Sequence, residues 1–471
     1  MSALDRAREL IEKADPHKTL PQCEIKEIEI GPEAIFSVSN VTSRFVAPQA
    51  QIALIVDKTP IFRKKKEVKK LVLDQLSNSY SVTYIELEDG HSELHASEEV
   101  IAESAQRAKG VDAIVTIGGG TITDIGKMTS LGLSGIPHIA IQTAASVDGY
   151  SDNVSVILIN GVKRTVPSRW PEALIADTTL IAEAPSQMNR AGYGEINSLF
   201  TAPADWRLAA LLGFEKKFHW GPIELLKGVG EGIELWSPGL RKSEISSIEK
   251  LVNALAIRGI VTGVADTTAC LSGIEHLVSH MLDMNQTATH QSVGQHGAQV
   301  GVGSVFAAVV WELLLDRVNS TSSTTMYTLD KKSLEKRVLE TFHALDTTDV
   351  LGKECWKDYE KKVDYWNSNS ERLKEILSQW STHASELREL IKSPEEIIHG
   401  LVSSGSPVSF GDLEPAIGDL VARWAISNCH FMRNRFVGID LLEFLGFWTQ
   451  KEIDWVFARS LEAIKAIGTV V

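Results

Sequence analysis

Two groups of residues in this 471-residue chain have the types and spacing for chemistry. The first runs from Val111 to Lys127. An apolar, β-branched stretch, Ala113 to Ile117, leads into Gly118-Gly119-Gly120-Thr121-Ile122-Thr123-Asp124. The stretch reads as a buried parallel strand. Glycines lack the Cβ atoms that keep a phosphate off the backbone, and the free N–H groups of a helix start attract an anion. The spacing is not G-x-G-x-x-G, and a bare strand-to-helix turn is the competing reading. The second group is scattered. Ser272 to His280 places His276 and His280 four apart, on one face of a helix. Gln295-His296-Gly297 follows, and Ala191-Gly192-Tyr193-Gly194-Glu195 precedes. A carboxylate and two or three imidazoles from this set can form a divalent-metal site with an open coordination position. The same spacing also occurs in ordinary surface or core histidines. Glu275 is either a hydrogen-bond partner of His276 or a helix-surface charge. His290, in a polar loop, reads as solvated.

The elements that must position these groups follow from hydrophobic pattern. Strands are expected at 52–56, ending at Asp57, and at 81–87, 113–117, 138–143 and 174–177. Helices are expected at 4–14, 62–77 and 97–109, the last opened by Ser97. Strands alternating with helices give a parallel sheet whose ligands bind at the carboxyl ends. Asp57, Gly118–Gly120 and Thr143 to Asp148 all sit at such ends. Residues 154–166 read as a hairpin turning at Asn160-Gly161. Beyond about residue 186 the pattern is helical: 208–213, 223–234, 243–264, 303–318, 334–345, 356–391, 394–402 and 413–428, with a loop at 319–325. The expected division is an extension over 1–30, a dinucleotide-binding α/β domain over 31–186 and a helical metal- and substrate-binding domain over 187–471.

Length predicts two or three domains. Acidic residues outnumber basic ones by 61 to 47, for a formal charge of −14. That disfavours nucleic acid or an anionic membrane as the main partner. A small anionic substrate stays open, because a pocket can be positive on an acidic protein. No run approaches the apolar length of a membrane span, and the first eight residues are not a signal peptide. Four scattered cysteines with no CxxC fit reduced thiols and a cytoplasmic location. The basic run Lys64-Lys65-Lys66 with Lys69-Lys70 reads as a solvated helix face.

Taken together, the segments resemble the metal-dependent polyol dehydrogenase superfamily, which holds glycerol dehydrogenase, iron-containing alcohol dehydrogenases and 3-dehydroquinate synthase. The nearest branch is the sn-glycerol-1-phosphate dehydrogenase family. The residues that carry the likeness are Gly118 to Lys127, Gln142 to Gly149, Ala191 to Glu195, Thr201-Ala202 with Asp205-Trp206, Ser272 to His276 and His296-Gly297. Glu354 to Tyr359 and Met432 to Phe436 look like the longer bacterial-type members.

The resemblance implies an α/β Rossmann-like parallel-sheet domain followed by an all-α domain, with the active site in the cleft between them. It implies NAD or NADP and one divalent metal (Zn, Ni or Fe). By position, Glu195, His276 and His296 become the metal ligands. His280 stands beside the substrate as proton relay, and Asp148 faces the substrate hydroxyls. Gly118, Gly119, Gly120 and Thr121, with Asp124 in the same turn, would hold the pyrophosphate. Asp57 would sit near the adenosine ribose, where it disfavours a 2′-phosphate. Thr143 and Ser146 line the nicotinamide side. The implied substrate is a small phosphorylated ketone, dihydroxyacetone phosphate, reduced to sn-glycerol 1-phosphate. Its phosphate needs cationic or N–H donors; Arg433 and Arg435 are candidates, with a structural or interface role as the alternative. A homodimer is expected on resemblance alone.

Four positions depart from the family pattern, all near metal and substrate. Glu195 stands where the phosphate-polyol branch has Asp, Ser198 where dehydroquinate synthases have Lys, Leu199 where Lys or Asn is common, and Ala298 where His-Gly-Glu would put a carboxylate. Two alternatives therefore remain: a dehydroquinate-synthase-like lyase or cyclase that recycles NAD, and a homologue that binds nucleotide without turnover.

Overall fold

The computed structural model describes residues 3–91, 93–159, 162–319 and 328–468. Six strands form one parallel sheet: β1 (Glu27–Gly31), β2 (Gln51–Val56), β3 (Ser81–Glu86), β4 (Ala113–Gly118), β5 (His138–Gln142) and, after a hairpin of β6 (Val154–Ile159) and β7 (Val162–Pro167), β8 (Ala173–Asp177). The sheet order is β1-β8-β5-β4-β2-β3. β4 and β5 are buried along their whole length, as expected of apolar strands covered on both faces. Alternate residues serve the two faces. Leu54, Val56, Val115 and Ile117 join one core with Val68, Val72 and Leu76 of α2 (Val68–Ser77). Ala53, Ile55 and Ile114 join another with Val100 of α3 (Glu98–Arg107) and Ile122 and Ile125 of α4 (Gly120–Gly132). Packing of α4 on the sheet requires Gly126: a Cβ there would lie 2.5 Å from Thr116 Cγ2 and 2.6 Å from His138 Nε2.

From β2 the chain crosses outward to β3, then returns to place β4 on the opposite side of β2. The strand order thus reverses between β2 and β4, where such sheets open a ligand crevice.

Contact clustering divides the chain into two compact units. The first holds Met1–Gly192 and Trp220–Asp266, the second Tyr193–His219 and Thr267–Val471. Residues 1–30 and 220–266 therefore group with the sheet. The first helix, Ala3–Ala14, packs on the helix Trp220–Gly230, which gives its buried Leu4 and Ala7 a partner. The chain leaves the sheet through α5 (Ser186–Ile196). α6 (Ile245–Val264) belongs to the first unit. The second unit contains α7 (Ile274–Ala288) and α8 (His296–Asn319). After β8 no strand occurs among the described residues.

Several expectations are corrected. Residues 62–77 are not one helix. Phe62–Arg63 and Lys66–Glu67 pair as a tight hairpin turning on Lys64 and Lys65, both at positive φ. Glu67 then caps α2 by accepting the Lys69 and Lys70 backbone N–H groups. The basic run is not a solvated helix face either: Lys69 is buried and donates to the Asp57 carbonyl oxygen. Residues 356–391 divide into Val350–Ser368, Ser370–Ser378 and Trp380–Arg388, broken where Asn369 and Gln379 leave helical geometry. α8 is long and apolar enough to cross a membrane by length and composition, but 94% of its apolar window is buried, which marks a core helix. The 160–161 turn, and the 319–325 loop beyond residue 319, lie outside the described residues. All four cysteines are free thiols.

Candidate functional site

The first unit builds the crevice from the reversal between β2 and β4. Register pairs Val56 with Ile117, so Asp57 and Gly118 leave the sheet side by side. Thr143 is tied to the same place by its N–H to the Gly118 carbonyl, 3.2 Å. Gly119 caps α4 in extended geometry with no side-chain bond. A Cβ on it would meet nothing nearer than the Tyr150 hydroxyl at 4.0 Å, so the space above the turn is open. The first N–H groups of α4 face that space without an intrahelical acceptor. Helix polarity adds to their attraction for an anion. Thr121 is exposed in that turn, and Ser146 is buried beside Tyr150, which donates to the Ala144 carbonyl at 3.1 Å.

Two residues of the expected nucleotide and substrate set are engaged elsewhere. Asp124 pairs with the buried Lys127 at 3.0 Å and accepts the Val156 N–H at 3.1 Å, which fastens α4 to the hairpin. Asp148 accepts from Arg258 Nε on α6 at 3.2 Å. Arg258 is fully buried, so Asp148 balances its charge. Asp57 accepts the Thr59 N–H at 3.1 Å and lies 3.5 Å from the Lys69 ammonium.

The second unit brings Glu195, His276 and His296 together. Their ligand atoms lie within 4.8 Å of one another. His276 Nε2 is 3.1 Å from Glu195 Oε1, and His296 Nε2 is 3.7 Å from Glu195 Oε2. The opposite nitrogens are occupied: His276 Nδ1 by Glu275 at 3.0 Å, His296 Nδ1 by the Ser279 hydroxyl at 2.9 Å. Glu275 is fully buried and itself accepts from Gly273 N–H at 2.6 Å and Thr201 Oγ1 at 2.9 Å. Both rings therefore present Nε2 to one carboxylate while their Nδ1 atoms are fixed from behind, the arrangement typical of metal-ligating histidines. A carboxylate with two imidazoles suits Zn, Ni or Fe. The pocket is tuned for positive charge. Burial alone lowers an imidazole pKa, yet Glu195 and Glu275 outweigh it and push His276 up to about 9.

Backbone contact sets the reach of Glu195. A Cβ on Gly194 would stand 2.2 Å from the Gly297 carbonyl oxygen, so the end of α5 and the start of α8 touch. Ala298 takes no carboxylate to this site, and Ser279 orients His296 instead. Ser198 and Leu199 are buried in the single turn Asn197–Phe200. His280 stacks on His296 with ring centroids 5.6 Å apart, and His280, Asp283 and His296 form a second close group. A third, Asp89 with His91 and His95, lies in the loop after β3. Arg435 braces the segment before α7: Nη1 donates to the Ser272 carbonyl at 2.6 Å and to the Ser272 hydroxyl, and Nη2 to Thr268 Oγ1 at 2.6 Å. Burial, with Arg433 beside it, pushes Arg435 down to about 10.

Sequence reasoning missed Ser279 and Arg258. Ser279 follows His276 by three residues on the same helix face, a signal that was available. Arg258 sits in an apolar helix and is 110 residues from Asp148, so no local pattern announces it.

Comparison with known proteins agrees with this architecture. The family model of iron-containing alcohol dehydrogenases matches residues 29–185. A glycerol-1-phosphate dehydrogenase [NAD(P)+] of Pyrococcus horikoshii is 31% identical over 315 residues, covering 64% of this chain and 85% of that protein. One from Bacillus velezensis is 34% identical over 199 residues, 41% of this chain and 49% of the relative. Among solved structures, a probable glycerol dehydrogenase from Sinorhizobium meliloti superposes with a TM-score of 0.58 at 14% identity, covering 93% of this chain and 98% of that one. The fold and the matched model define an oxidoreductase of the iron-containing alcohol dehydrogenase class. Within that class the chain belongs to the glycerol-1-phosphate dehydrogenase family.

Proposed function

We propose that the protein is a metal-dependent, NAD(P)-linked dehydrogenase of a small phosphorylated ketone, most simply one that reduces dihydroxyacetone phosphate to sn-glycerol 1-phosphate. The observation that carries the reading is the convergence of Glu195, His276 and His296 on one point, with both Nδ1 atoms held from behind. These three residues would hold a divalent cation. When bound, the cation would polarise the ketone oxygen and the reduced nicotinamide would supply hydride to its carbon. The open turn at Gly118–Gly120 and Thr121 would take the pyrophosphate on backbone N–H groups, with Asp57 at the ribose and Thr143 and Ser146 beside the nicotinamide. His280, stacked on His296, would hold the proton that the product oxygen needs. Asp148 would orient a substrate hydroxyl from its bond with Arg258. The same family reading proposes a cytoplasmic homodimer with no membrane or nucleic-acid partner.

One assay tests this. Protein supplied with Zn²⁺, Ni²⁺ or Fe²⁺ and dihydroxyacetone phosphate should consume NADH or NADPH in equal amount to product formed. Turnover of a sugar phosphate with no net change in cofactor would favour the lyase reading, which Glu195 motivates. Nucleotide binding with neither reaction would mean a homologue without turnover.

A further inference from the structure

A cavity of about 200 Å³ lies within the second unit, lined by Asp205, Trp206, Phe214, Glu215, Thr267, Ala269, Asn434 and Arg435 among others. Two donors in its wall are unusual. Arg435 has five N–H groups, of which three are spent on Ser272 and Thr268, all neutral acceptors. Nε–H and one Nη2–H remain along a single edge of the guanidinium. That edge matches two oxygens of a carboxylate or phosphate. Arg435 has no carboxylate within ion-pair distance, although buried charges are normally paired. Trp206 is 1% exposed, and its indole N–H has no acceptor. A buried donor without a partner is destabilising. Of the two acids in the wall, Asp205 has both oxygens committed, to Ile274 N–H at 3.0 Å and Gly438 N–H at 2.8 Å. Glu215 spends one oxygen on the Lys216 and Lys217 N–H groups.

We infer that this cavity is an oxyanion pocket, which takes a phosphate group on the free edge of Arg435 and the Trp206 N–H. Glu215 opposes the anion and limits its affinity. The phosphate can come from two sources: the phosphorylated substrate, which rests on the function proposed above, or free phosphate, which does not. Asp205 and Arg435 also grip the segment that starts α7, through Ile274 and Ser272. An occupied pocket therefore stiffens the backbone just ahead of His276.

Calorimetric titration of the full-length protein with inorganic phosphate, without nicotinamide cofactor, tests the pocket directly. The wild type should bind. Trp206→Phe should weaken binding roughly fivefold to tenfold, the effect of one lost hydrogen bond to an anion, and Glu215→Gln should tighten it. Neither variant touches the bonds by which Arg435 braces Ser272, so both should fold. Competition by dihydroxyacetone phosphate identifies the substrate as the source; additive binding identifies free phosphate. No binding to the wild type, or a Trp206→Phe affinity within twofold of wild type, overturns the proposal. A protein that binds phosphate in this way yet fails to oxidise NADH or NADPH would keep the pocket and lose only the dehydrogenase reading.

Discussion

Nε2 of His276 lies 3.1 Å from a carboxylate oxygen of Glu195, a residue 81 positions earlier in the chain. Glu275 fixes the other face of the same ring at 3.0 Å. Removing this imidazole should therefore remove the cation and little else. His276→Ala should contain less than a tenth of the wild-type metal by elemental analysis while its NADH affinity stays within about twofold. Full metal content in the variant would refute the ligand assignment.

Gly126 is the point where α4 meets the sheet. Gly126→Ala should destabilise the protein by about 1–3 kcal/mol, as overpacking a filled interior does, because Thr116 and His138 both stand within 2.6 Å of the added methyl. The melting temperature should drop by several degrees. An unchanged or raised value would contradict the packing described.

His138 sets a limit on acid stability. Burial, helped by the charges of Lys127 and Arg169, pushes its pKa from 6.5 down to about 3. Between those values the unfolded chain binds a proton that the folded chain refuses. Its contribution is thus present above pH 6.5 and is lost as pH falls, by about 1.4 kcal/mol per unit. Urea unfolding at pH 7 and pH 5.5 should show wild type losing about 1 kcal/mol more than His138→Gln. Equal losses would mean that His138 does not resist protonation.

Asp57 leaves β2 beside Gly118, where a ribose on the bound pyrophosphate would lie. Asp57→Ala should improve kcat/KM with NADPH relative to NADH by about tenfold, since a carboxylate repels a 2′-phosphate. A ratio that does not move would place the adenosine elsewhere.

The sheet was legible because its strands are continuous β-branched runs that end in turn residues, and Gly118 to Gly120 reads the same in either representation. The break at Asn369 was not, since its neighbours keep helical periodicity on both sides and only its own backbone departs. Lys69 looked solvated by charge; its amine instead reaches the Asp57 carbonyl, a tertiary contact that composition does not carry. Glu195, His276 and His296 were recognisable through family motifs alone. Their spacing holds no information on convergence, which depends on the touching backbones at Gly194 and Gly297. Ser279 was readable from helical spacing, whereas the bond from Arg258 to Asp148 was not.

The central claim is most directly tested by anomalous diffraction from crystals soaked in Zn²⁺. A single strong peak should appear about 2.0–2.2 Å from a Glu195 carboxylate oxygen, His276 Nε2 and His296 Nε2. A peak held instead by His280 and Asp283, or by Asp89 and its histidines, with nothing at Glu195, would contradict the account.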